Sequence, residues 1–131
     1  MTSMSLSRYF DRIAIALSAV CILHCLAVPA LAVILPIAFV SFGAQAHFHE
    51  WMLWGVVPTS VFGFALGLRY HRRIWIAIVG VGGLAIVAFA AVVAHASWMW
   101  WQELLVSVIG SLILASAHWK NFVEVRRVHT H

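Results

Sequence analysis

The sequence predicts an all-α integral membrane protein: a four-helix bundle, single domain over 1–131, with its N and C termini cytoplasmic. Three observations predict it. The chain is 64% hydrophobic and only 9% charged, where a soluble domain carries roughly a quarter charged residues, and its mean hydropathy is +1.00. Long apolar runs alternate with short polar segments. The 8 Lys and Arg residues all fall in segments that share one side of a four-span topology, which by the positive-inside rule is the cytoplasm.

Taken in order, residues 1–12 form a short polar start with Arg8, Asp11 and Arg12. The first span is expected at about 13–40. At 1.5 Å per residue it would be about 42 Å long against a core of about 30 Å, so Pro29 and Pro36 are expected to kink it. Arg8 and Arg12, this run and Ala44-Gln45-Ala46 together imitate a secretory signal. A signal's apolar region is only about 7–15 residues, however, so a retained helix is expected. Residues 41–50 read as an outer loop. The second span, about 51–68, contains Pro58 and the close-packing motif Gly63-x-x-x-Gly67, a face that a homodimer could use. Arg69-Tyr70-His71-Arg72-Arg73 is a basic turn in which His71 reads as solvated. The third span is expected at about 74–94. A Trp-rich outer loop follows, with His95, Trp98, Trp100 and Trp101. The fourth span is about 104–119, with Ser107, Ser111 and Ala115 as a small-residue stripe, and the chain closes in a basic tail. Trp51 and Trp54 mark the outer interface and Trp75 and Trp119 the inner one.

The chemistry is concentrated in Cys21-Ile22-Leu23-His24-Cys25, which holds both cysteines of the chain. On a helix Cys21, His24 and Cys25 stand at i, i+3 and i+4 and project from one face. Polar groups converging in hydrocarbon are costly unless something binds them. Thiolates select Hg(II) and Cu(I), with Zn(II) as a borderline case, and imidazole suits zinc and copper. Packing as two small buried residues is the plainer reading of the cysteines. On the outer side His47, His49, Glu50 and His95 could collect a cation, or simply solvate the interface. His118 lies two residues before Lys120, near the inner boundary. It could receive a departing ion, or hydrogen-bond to a neighbouring helix. His129 and His131 form a short tail.

No phosphate-cradling loop, nucleophilic triad or paired carboxylates occur, so the chain does not read as an enzyme. The basic residues answer to topology and do not imply nucleic acid. Two other readings of the bundle are a haem protein with His24 as an axial ligand and a thiol-redox subunit. The first lacks a second histidine at matching depth, and the second needs a disulfide that i, i+4 geometry makes awkward.

Cys21-x-x-His24-Cys25-x-x-x-Pro29, a first outer loop ending His49-Glu50-Trp51, the basic turn after span two, and Ala117-His118-x-x-Asn121 at the end of span four together resemble the MerC family of mercury-resistance inner-membrane proteins. The resemblance runs from about Ser7 to Arg127. It implies a four-helix protein of the bacterial inner membrane that carries Hg(II) from the periplasm towards the cytoplasm, with Cys21 and Cys25 as the membrane thiol pair. A soluble metal carrier would be a partner of such a protein. Mercury-operon members carry a second cysteine pair near the C-terminus. Here only His129 and His131 stand there, which keeps Zn(II) and Cu beside Hg(II) as substrates.

Overall fold

The computed structural model describes the backbone of residues 3–34, 45–94 and 97–128, and the side chains of 5–24, 27, 51–93, 97–99 and 101–128. Among the described residues the chain forms four helices: α1 (Ser3–Ile34), α2 (Gln45–His71), α3 (Ile74–Phe89), which continues as a π-helical turn (Ala90–Ala94), and α4 (Trp100–Arg127). Helix α1 packs against α2 and α4, and α3 packs mainly against α4. Among the described residues three stretches, Trp51–His71, Ile74–Val93 and Trp101–Arg127, are long and apolar enough to cross a membrane.

Helices α1, α2 and α4 overrun the expected spans, whereas α3 with its π-helical turn fits the expected 74–94. The polar start is helical from Ser3, the expected outer loop of 41–50 is helical from Gln45 onward, and the expected basic tail is helical to Arg127. The reason is that hydropathy marks where hydrocarbon ends, whereas backbone hydrogen bonding continues until a turn or breaker stops it. At 28 residues α4 is about 42 Å long, so it stands clear of a core of about 30 Å. Helix α1 runs past Pro29; Pro36 lies outside the described residues.

Local chemistry accounts for the breaks. Pro58 lies inside α2 and cannot donate to the carbonyl of Trp54. The next residue, Thr59, turns its hydroxyl back onto the carbonyls of Gly55 (2.7 Å) and Val56 (3.1 Å). Helix α2 ends at His71; the following Arg72 has a left-handed φ of 53°, and its N–H closes the turn on the Leu68 carbonyl at 3.0 Å. At the start of α4 the Gln102 Oε1 accepts from the Met99 N–H at 3.1 Å, satisfying a helix-entry donor.

Glycines bring the backbones together. A Cβ at Gly83 would sit 2.8 Å from the Leu114 backbone nitrogen, and one at Gly67 would overlap the Asn121 side chain. The apolar core of Val56, Phe64, Ile76, Leu114 and Ala117 lies in this region. Gly63 and Gly67 therefore face inward, not outward as a homodimer face. A Cβ at Gly63 would stand 3.0 Å from Asp11 Oδ1 and 3.3 Å from His118 Cε1. The motif serves packing of α2 against its own α1 and α4. Trp51, Trp54, Trp75, Trp98, Trp101 and Trp119 are all exposed, as interface belts require.

Candidate functional site

One face of α1 is buried along its described side chains: Ser7, Asp11, Ala14, Ser18 and Cys21. The spacing of four, three, four and three residues is one stripe of a helix. Small and polar residues fill it, while Tyr9, Val20 and Leu23 on other faces are exposed. Cys21 is 4% exposed, and His24 is half-buried. The Cys25 side chain, the third member of the expected trio, lies outside the described residues. Among the described residues no three His, Cys, Asp or Glu side chains are grouped to hold an ion. His47, His49 and Glu50 lie on the opening turns of α2 with side chains outside the described set. His95, His129 and His131 lie outside it altogether.

The polar residues that the structure does bring together stand further down the same stripe. Asp11 and His118, each 0% exposed, meet at 2.8 Å between Oδ1 and Nδ1. The other ring nitrogen, Nε2, is 3.1 Å from Ser60 Oγ. The imidazole lies against Phe64, with centroids 4.1 Å apart and planes 21° from parallel. Of the two roles expected for His118, the structure contains the interhelical hydrogen bonds.

Asn121 completes the cluster. Its Nδ2 lies 2.9 and 2.7 Å from the two Asp11 oxygens and 3.1 Å from the Gly63 carbonyl. One N–H is thus shared by the carboxylate while the other reaches α2. Its Oδ1 lies 2.8 Å from His71 Nε2. The Arg73 backbone N–H donates to His71 Nδ1 at 2.9 Å, so the ring proton belongs on Nε2, donated to Asn121. These contacts fix the tautomer of His71 and the orientation of the Asn121 amide together. His71 is half-buried and hydrogen-bonded, not the solvated turn residue expected. The small-residue stripe of α4 also differs: Ser107 and Ser111 are buried with Leu114 and His118, while Ala115 is only half-buried.

Around this cluster the basic residues gather. Arg73 Nε is 3.2 Å and Arg127 Nη1 3.2 Å from the two Glu124 oxygens, and the Arg12 and Arg126 guanidinium groups lie 5.5 and 5.7 Å from the Phe122 ring. Charges from α1, the α2–α3 turn and α4 therefore occupy one end of the molecule.

Asp11, Ser60 and Asn121 were not singled out by sequence reasoning as site residues. Extending the helical stripe of Cys21 backwards past Ile13 would have found Asp11, because the stripe ignores the point at which hydropathy falls. Ser60 carries no comparable mark.

Fold and site together define a small helical membrane protein that turns Asp11, His118 and the Cys21 thiol inward and its described tryptophans outward. The family model for MerC mercury resistance protein matches residues 11–123, and the chain belongs to that family. The match begins at Asp11 and so includes both the thiol stripe and the Asp11–His118–Asn121 cluster. Membership places the protein in mercury resistance and heavy-metal transport across a membrane, and not among enzymes. Neither the curated proteins nor the solved structures contain a match to the chain.

Proposed function

We propose that the protein moves a thiophilic heavy-metal ion, Hg(II) or a borderline ion such as Zn(II) or Cu, across the bacterial inner membrane from periplasm to cytoplasm. The observation that carries this reading is Cys21, buried at 4% exposure on the inward stripe of α1 in a chain of this family. His24 and Cys25 follow at i+3 and i+4 on the same helix, and the three residues form the membrane site. Two thiolates and one imidazole leave a tetrahedral ion one position short. An ion so held can be passed on by ligand exchange.

His47, His49, Glu50 and His95 collect the ion on the outer side. Both termini lie in the cytoplasm, a reading supported by the basic side chains gathered at one end of the molecule. A soluble carrier can deliver or receive the ion, and neither haem nor a redox disulfide is needed. The test is metal binding and uptake by anaerobically purified protein offered Hg(II), Zn(II) and Cu(I) in competition. Cys21→Ser and Cys25→Ser should each abolish tight binding and uptake. Unchanged binding in the double variant would show the thiols to be packing residues.

A further inference from the structure

The stripe that begins at Cys21 continues inward through a group that packing does not explain. Ser18 is 2% exposed, and among the described residues its Oγ is the buried side-chain polar atom without a hydrogen-bond partner. A buried hydroxyl left unpaired costs about 1–3 kcal/mol, and no bulk water offsets this inside a membrane. Alanine would pack the same space without that penalty, as it does one turn away at Ala14, also buried. The hydroxyl at 18 is therefore an oxygen that the packing does not use. It stands three residues from Cys21, about 4.5 Å along the helix.

At the inner end of the same stripe, about 15 Å from Cys21 along α1, the Asp11–His118 pair has the arrangement that prepares an imidazole for a cation. The carboxylate holds Nδ1–H at 2.8 Å, which fixes the tautomer, leaves the lone pair on Nε2 and makes that nitrogen a better metal ligand. The Nε2 partner is the Ser60 hydroxyl at 3.1 Å, a rotor that can release the nitrogen and turn its own oxygen to the same ion. Ser111, also buried, lies seven residues, about two turns, before His118 on α4.

We propose that this buried seam is the inward path of the ion, with Ser18 as a stepping oxygen and His118 Nε2, positioned by Asp11, as the inner acceptor of a borderline dication such as zinc. The proposal rests on the thiol site described above and adds its exit and its selectivity. Nitrogen and oxygen donors suit Zn(II) better than Hg(II). Each move exchanges one donor for another and leaves the oxidation state of the ion unchanged. Asp11 acts through His118 and is a positioning residue.

Full-length protein in lipid vesicles is offered Zn(II) or Hg(II), and initial uptake is compared with thiol-site affinity and thermal stability in detergent. Ser18→Ala should keep or raise stability and leave thiol-dependent Zn(II) binding in place, yet slow Zn(II) uptake by about tenfold. Asp11→Asn and His118→Gln should slow Zn(II) uptake by about tenfold or more and Hg(II) uptake much less, shifting the ratio of the two. A variant that was merely loosened would lose both metals in proportion. Zn(II) uptake by Ser18→Ala at the wild-type rate, or a proportional loss of both metals in the other two variants, overturns the proposal while leaving the thiol site standing. Wild-type protein with no thiol-dependent binding of either metal refutes the thiol site and this exit with it.

Discussion

Replacing Asp11 by leucine tests whether the cluster between α1, α2 and α4 holds these helices together. Leucine keeps the branched outline of aspartate, but its methyl groups are bulkier than the carboxylate oxygens and add some overpacking, and every acceptor is lost. The His118 Nδ1–H and the Asn121 N–H shared across the carboxylate, now at 2.7 to 2.9 Å from its oxygens, would both be buried without partners. Each orphaned donor costs about 1–3 kcal/mol, so the two together cost about 2–6 kcal/mol. Asp11→Asn keeps one acceptor oxygen and should lose only about 1–2 kcal/mol. Reversible unfolding in mixed detergent micelles, followed by circular dichroism, measures both. A single interhelical hydrogen bond in a membrane protein averages about 0.6 kcal/mol. A loss no larger than that for Asp11→Leu would refute the idea that the carboxylate organises the cluster.

Other outcomes follow from the same packing. Gly67→Ala places a Cβ on the Asn121 side chain and should destabilise the fold by about 1–3 kcal/mol, while light scattering shows an unchanged oligomeric state; a change in oligomer without loss of stability would return the glycine motif to an intermolecular role. Leu114→Ala, at a residue 1% exposed in the core, should cost about 2 kcal/mol, the low end of the soluble range, because lipid weakens the transfer contribution and leaves mainly the cavity; the same unfolding measurement checks it. Glu124→Gln should change stability by less than about 1 kcal/mol, since its Arg73 and Arg127 partners are 52% and 69% exposed at their side chains; a larger loss would show that this ion pair does more than sit at the rim.

The helical class and the order of the helices are legible in the amino-acid sequence, because a bilayer sorts each segment separately by its own hydropathy and charge. The outward tryptophans and the inward Cys21 follow from that sorting together with helical periodicity. What hydropathy misplaced was the end of every span that continues as helix beyond hydrocarbon. Asp11 was grouped with Arg8 and Arg12 in a polar start, and Asn121 stood only as the last residue of a motif at the end of span four, although the two side chains bond directly across 110 positions of sequence. Gly63 and Gly67 carried a packing motif, but a motif of small residues says only that some helix approaches closely, and the structure supplies that helix from within the same chain. Which residues form helices was set locally, by the 3.6-residue repeat and the solvent each segment meets. Which polar groups find one another was set only by the packing of α1, α2 and α4, since a buried hydrogen bond between distant segments leaves no periodic trace in either.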